Sequence, residues 1–226
     1  MTDKYKYKVT IITPTTGDKN LYKAMQSVAN QTVPCKHLVV IDGDKFIATA
    51  KKQIAFFSNV SVIELPENTG VWNGRLWYGH RIYSGVSFLV NTDYVAFLDE
   101  DNYFDPFFVE TMLNALESGK DKWVATCRRH IINEAGDYMG IDDFESIGKN
   151  KFGYYLNDTS TYMFKTKAFC RFFSKHLYNT FGADKALSES VNALSMVHVD
   201  VEKPLLYYRS PERLYRFFNE NIGINE

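Results

Sequence analysis

The sequence predicts an α/β fold with a mostly parallel central sheet flanked by helices. Apolar, β-branched runs of four to six residues recur through the first hundred positions, and stretches with apolar residues every three or four positions separate them. Runs apolar on both faces suit strands buried between helix layers, and helical crossovers keep successive strands parallel. Composition agrees: 226 residues, 45% hydrophobic and 15% aromatic, suffice for one buried core and exclude a disordered chain. The 13 Gly and 6 Pro are scattered, which excludes a collagen-like or low-complexity class. With 26 Lys+Arg against 27 Asp+Glu the net charge is −1, so a generic polyanion binder is disfavoured.

Residues 9–12 (Val-Thr-Ile-Ile) form the first strand, which stops at Pro14; Gly17-Asp18 follows as a turn, with Asp18 as helix N-cap. Leu21, Met25 and Val28 lie at helical spacing, and that helix ends near Gln31. Residues 37–41 form a second strand ending in Asp42-Gly43-Asp44, and Phe46, Ala50, Ile54 and Phe57 mark a second helix. Residues 60–65 make a third strand closed by Pro66, a helix is expected over 74–84, and 94–98 make a fourth strand. Asp105-Pro106 opens a helix that runs to about residue 117. Beyond it the pattern gives strands at 123–130, 162–165, 197–201 and 205–208, helices at 167–177 and 183–194, a turn at 134–137 and a polar loop at 140–153. No repeat or linker divides the chain, so residues 1–226 are expected to be a single domain.

Cys35, Cys127 and Cys170 are too few and too dispersed for a disulfide framework or a closed zinc site. They read as free thiols in a reducing compartment, and the expected localisation is cytoplasmic. Residues 1–8 lack the apolar segment of a signal peptide, and no run of about 18 apolar residues predicts a membrane span. The Asn-x-Ser/Thr triplets at Asn30, Asn59 and Asn157 are then chance matches.

Chemistry is expected where the fourth strand ends. Tyr94-Val95-Ala96-Phe97-Leu98 releases Asp99 and Asp101, separated by Glu100, at the carboxyl end of a buried strand, where open α/β sheets bind ligands. Two hard oxygen donors there suit Mn²⁺ or Mg²⁺, which also bridge substrate phosphates. Acids are common in turns, so the spacing alone is a weak signal and the strand before it supplies the specificity. Asp105, by contrast, reads as a helix cap.

These segments resemble, in order, the GT-A glycosyltransferases of the large inverting family 2 group. The resemblance rests on Val9 to Thr15 with Thr13-Pro14-Thr15, on Ser27-Val28-Ala29-Asn30-Gln31-Thr32, on Val39-Val40-Ile41-Asp42-Gly43, on Asn68-Thr69-Gly70 with Arg75, and on Leu98 to Asn102 with Pro106. It covers residues 8–118. It implies a GT-A (Rossmann-like) fold, with residues 8–101 as the nucleotide-sugar-binding half and 102–226 as the acceptor-binding half. Thr13, Pro14 and Thr15 would line the nucleobase and ribose site, Asp42 would accept from a uracil-type base, Asn68 and Gly70 would sit beside it, and Arg75 would reach the phosphates or base. Asp99 would hold the ribose or the metal's water shell, and Asp101 the metal.

An inverting transfer also needs a general base for the acceptor hydroxyl. The family places it at a helix start, and Gly182-Ala183-Asp184 matches, with Ala183 where a Glu is usual; Asp142, Asp143 and Glu189 compete with Asp184. His198 is either a sheet residue or a metal ligand. Arg128-Arg129-His130 either contacts sugar or phosphate or is a solvated strand end, and the basic, aromatic tail from Arg209 to Phe218 closes over the diphosphate, contacts a partner or, by default, covers the sheet. The aromatics crowded into 152–181 are expected to be mostly core, with part serving as an acceptor wall.

The implied activity is metal-dependent transfer from a nucleotide-diphosphate sugar, a UDP-sugar by the nature of Asp42. The acceptor hydroxyl could belong to a glycan, lipid-linked sugar, protein or modified nucleic acid, and a homo-oligomer stays open. A non-catalytic nucleotide-sugar binder and a nucleotidyltransferase of related fold are the alternatives. A dehydrogenase is excluded, because no G-x-G-x-x-G follows the first strand.

Overall fold

The computed structural model describes residues 7–147, 156–179 and 182–210. Four parallel strands build the first half: β1 (Val9–Thr15), β2 (Lys36–Asp42), β3 (Val60–Leu65) and β6 (Tyr94–Phe97), in the order β3-β2-β1-β6. The crossovers carry α1 (Leu21–Ala29), α2 (Ile47–Ile54) and α3 (His80–Val86). A hairpin of β4 (Val71–Trp72) and β5 (Arg75–Leu76) precedes α3.

The second half extends the sheet in a mixed sense. After β7 (Tyr103–Phe104) and α4 (Phe108–Glu117) come β8 (Val124–Ile132) and β9 (Tyr138–Ile141), an antiparallel pair. Strand β10 (Tyr162–Lys165) then inserts antiparallel between β6 and β8. The chain continues through α5 (Thr166–Ala168), a π-helical turn (Phe169–Phe173), α6 (Ser174–Asn179) and α7 (Ala183–Ala193) to β11 (His198–Arg209), which runs parallel to β8. Parallel pairing therefore dominates up to residue 97, and antiparallel insertion follows.

Strand alternation divides the core between the two faces of the sheet. Ile11, Ala96 and Leu98 pack with Ala24, Val28, Phe108 and Met112 under α1 and α4. Ile12, Val95 and Phe97 pack with Tyr83, Phe164, Phe169, Phe173 and Leu187 under α3 and the α5–α7 layer. Tyr162, Phe164, Phe169 and Phe173 are fully buried, so these members of the 152–181 aromatic cluster are core.

Several local expectations are corrected. Residues 74–76 are turn and strand, not helix: Asn73 and Gly74 both have positive φ (49° and 71°), the backbone of a two-residue type I′ hairpin turn. Asp18 is not the N-cap of α1; Asn20 takes that position, and Asp18 Oδ1 instead accepts from the Asn20 backbone N–H at 2.7 Å. The two late strands are one, β11, with its register irregular between Asp200 and Leu206. The start of the expected 140–153 loop is strand, in β9, and residues 148–155 lie outside the described part, as does the tail beyond Ser210.

Candidate active site

A cleft of about 630 Å³ opens at the carboxyl ends of β1, β2, β6 and β11. Pro14 and Thr15, Asp42, Asn68 and Gly70, Asp99 to Asn102, Asp184 and Arg209 all line it. Asp158 and His80, which the sequence reading did not single out, line it too.

Each wall has a local cause. Strand β6 ends at Phe97, and the turn after it is clamped from two sides. Glu100 accepts from Thr15 Oγ1 at 2.5 Å, from the Thr16 backbone and hydroxyl, and from the Asp18 backbone at 2.9 Å, tying the acidic turn to the β1–α1 loop. From the other side, Gln31 donates to the Asp105 carbonyl at 2.8 Å and accepts from the Val109 N–H at 2.9 Å. The Ser27 hydroxyl accepts from the Phe104 N–H at 3.1 Å. The Ser27 to Thr32 motif is thus a strap that fixes the chain leaving Asp101.

Asp42 is buried, and it accepts from the backbone N–H groups of Thr69 at 2.7 Å and Gly70 at 3.2 Å. Asn68 donates back to the Asp42 carbonyl at 3.1 Å. Asp42 and the Asn68-Thr69-Gly70 turn are therefore one unit at one end of the cleft. Two expected binding residues stand apart from it. Thr13 is fully buried, its hydroxyl paired with His37 Nε2 at 2.9 Å, so its side chain is turned into the sheet. Arg75 is exposed on β5 and does not line the cleft.

The other end is acidic. Tyr83, fully buried, donates to Asp99 Oδ1 at 2.6 Å, while Ser160 donates to Oδ2 at 3.4 Å. Asp158 accepts from the Ser160 N–H at 2.8 Å and so caps a short 3₁₀ turn (Thr159–Thr161). Burial, then the charges of Asp158 and Asp101, raise the Asp99 carboxyl well above the usual carboxylate range. Burial and Asp158 likewise push Asp101 up to about 6. Asp158 itself is raised by burial and by Asp184. Mutual repulsion of this kind is relieved by a bound cation.

Asp184 behaves differently. Burial opposes its ionisation, yet the adjacent His80 imidazolium and the hydrogen bonds from His80 and Thr159 hold it below the usual range. His80 Nε2 lies 3.2 Å from Asp184 Oδ1, and Thr159 donates to the same oxygen. Burial lowers the His80 pKa, but Asp184 more than offsets that and raises it to about 9. Gly182 with φ 76° holds the N-cap position of α7, so Asp184 lies in the first turn and is not the cap, which leaves its carboxylate to the cleft.

The competing assignments fail on position. Asp142 is fully buried and bonded to Arg129 Nε at 2.7 Å, with Glu145 3.2 Å from the same guanidinium. Arg129 is consequently neither a sugar contact nor a solvated strand end. Asp143 is exposed outside the cleft, and Glu189 pairs with Lys185 on the outer face of α7. His198 bonds to Thr126 at 2.7 Å at the start of β11, the far end of that strand from the cleft, so it is a sheet residue and not a metal ligand. Arg209 instead donates to the carbonyls of Asn133 at 2.8 Å and Glu134 at 2.6 Å and orders the cleft's edge.

A parallel α/β half, with an aspartate-bearing pocket at its strand ends and an acidic turn beside it, defines a GT-A-type glycosyltransferase. The chain belongs to glycosyl transferase family 2, whose model matches residues 10–181. Its fold is similar to S. aureus TarS 1-349, with a TM-score of 0.65 and 17% identity over 96% of this chain and 64% of that one. It is also similar to TarS 1-349 in complex with UDP-GlcNAc (TM-score 0.62, 17% identity, 91% and 59% covered). A longer S. aureus TarS structure matches with a TM-score of 0.63 and 15% identity over 96% of this chain and 39% of that one. The chain thus spans less than two thirds of each of these proteins. No curated protein matches the sequence. Among the described residues no helix is long and apolar enough to cross a membrane.

Proposed function

We propose that the protein transfers a sugar, with inversion, from a UDP-sugar to an acceptor hydroxyl, assisted by Mn²⁺ or Mg²⁺. The observation that carries this is the convergence of Asp99, Asp101, Asp158 and Asp184 on one cleft whose other end is the Asp42–Asn68–Gly70 unit. In this reading residues 8–101 are the donor half and 102–226 the acceptor half of a single catalytic domain. The UDP-GlcNAc held by a structural neighbour supports the choice of donor class.

Asp42, buried and pinned by two backbone N–H groups, presents its remaining lone pairs to a uracil imide N–H. Pro14 and Thr15 form the floor beneath base and ribose. Asp101 and Asp99 are the residues that would hold the cation. Among the described residues no three His, Cys, Asp or Glu side chains form a complete cage. A cation that keeps phosphate oxygens and waters as ligands needs only one or two carboxylates, and the mutually raised acids of this turn fit that demand. When bound, the cation supplies charge stabilisation to the departing diphosphate.

Asp184 takes the proton of the acceptor hydroxyl. The acceptor oxygen then bonds to the anomeric carbon as the carbon–oxygen bond to phosphate breaks, and UDP leaves with that electron pair. An ionised, immobile carboxylate suits this role, and orientation supplies much of the rate. The test is UDP release from a panel of UDP-sugars by the purified protein with Mn²⁺. Release with at least one donor, lost in Asp101→Asn, is expected. UDP binding without turnover of any donor would favour a non-catalytic binder.

A further inference from the structure

The segment Tyr78-Gly79-His80 is built to one conformation. Tyr78 has φ 49°, a left-handed backbone that a bulky aromatic rarely adopts. Gly79 is packed so closely on Pro14 that a Cβ there would lie 2.6 Å from the proline Cγ. His80 follows, its ring in edge contact with Tyr78 at 6.2 Å and tilted against Tyr83 at 6.4 Å. Backbone strain that persists inside a cleft points to a site the surrounding structure holds in place. What it delivers is the imidazole edge, aimed at Asp184 and only 14% exposed.

We infer that His80 is the positioning residue of the base, holding Asp184 by Oδ1 so that Oδ2 faces the acceptor hydroxyl. The inference rests on the reading of Asp184 as base. Both neighbouring donors, His80 and Thr159, converge on Oδ1, and among the described residues no donor meets Oδ2. Asp158 stands before the 3₁₀ turn and Asp99 at the end of β6, both acting on the His80–Asp184 pair, with Arg129 on β8 as the more distant cation. Beside His80, Asp184 stays charged despite its burial, so it is free to accept a proton.

The experiment compares wild type, His80→Gln, His80→Ala and Asp184→Asn in steady-state transfer across pH, with a thermal melt confirming that each is folded. With His80→Gln the acid limb of the kcat profile should move up by about one unit or more, the size an adjacent opposite charge sets. KM for the UDP-sugar should stay within about twofold, and imidazole added to His80→Ala should restore part of kcat. A structural defect would lower kcat at every pH without moving the limb. If Asp184→Asn is inactive while His80→Gln keeps the wild-type limb and kcat, the role of His80 is overturned. If Asp184→Asn is as fast as wild type, the base reading fails, whatever His80 does.

Discussion

The Tyr83 hydroxyl, in a ring that is fully buried between α3 and the sheet, donates to Asp99 Oδ1 across 2.6 Å. The core itself therefore holds the first acid of the turn after β6. Tyr83 also packs on Phe97 with ring centroids 4.7 Å apart, so the last residue of β6 and the partner of Asp99 form one rigid body. Tyr83→Phe keeps the ring and removes only the donor. Its stability in urea should fall by about 1–2 kcal/mol, the net worth of a hydrogen bond to an ionisable partner. An unchanged midpoint would mean that Asp99 is satisfied by water instead.

Gly79→Ala tests the contact under His80. The added methyl would sit 2.6 Å from Cγ of Pro14, a ring that cannot rotate away, on a strand buried at every position. Overpacking of this kind costs about 1–3 kcal/mol, and transfer should fall further than stability does because His80 and Pro14 are displaced together. Calorimetric melting alongside kcat checks both parts.

The Arg129–Asp142–Glu145 cluster is a buried ionic core under Tyr208, whose ring lies 4.3 Å from the guanidinium. Asp142→Asn leaves the arginine charge short of a partner, which costs about 3–5 kcal/mol. Burial would raise Asp142, but Arg129 and the N–H groups of Phe144 and Glu145 hold it low. A carboxyl depressed in the folded state contributes stability above its unfolded pKa, and that stability is lost as pH falls through the folded value. The stability difference between wild type and Asp142→Asn should therefore be constant near neutrality and shrink at acid pH, as urea titrations at stepped pH will show.

His37 gives a second pH signature of the same sign, beginning nearer neutrality. Burial beside Thr13 pushes its pKa down to about 3. Below about pH 6.5 the unfolded chain gains a proton that the folded chain refuses, so His37 destabilises progressively from there toward pH 3. The raised His80 does the reverse: its contribution is complete below about pH 6.5 and is lost as pH rises through about 9. Relative to wild type, His37→Gln should gain stability as pH falls from 6.5, and His80→Gln should lose the alkaline decline. Denaturant midpoints at four or five pH values separate the two.

The strands of the first half were legible because their residues are largely apolar and β-branched; β1, β6 and most of β2 are buried along their length, while the edge strand β3 is partly exposed. Asp99, Asp101 and Asp42 were legible because each ends such a run. The hairpin at 71–76 was not read, although Asn73-Gly74 is the usual type I′ pair; a helix was expected from Gly74, and Val71, Trp72 and Leu76 are exposed strand residues. Asp158 hid in an Asn-x-Thr triplet, where only its capping of Ser160 distinguishes it. His80 and Arg129 were beyond reach of local pattern. Their partners lie 104 and 13 residues away, brought together by the antiparallel insertion of β10 and the β8–β9 turn.

The most direct test of the central claim is proton NMR of the anomeric signal while the protein, with Mn²⁺, turns over a UDP-α-sugar by transfer or slow hydrolysis. Single displacement with Asp184 as base gives UDP together with a β-configured product, and Asp184→Asn, still able to bind UDP, produces neither. An α-configured first product, or undiminished turnover by Asp184→Asn, would contradict it.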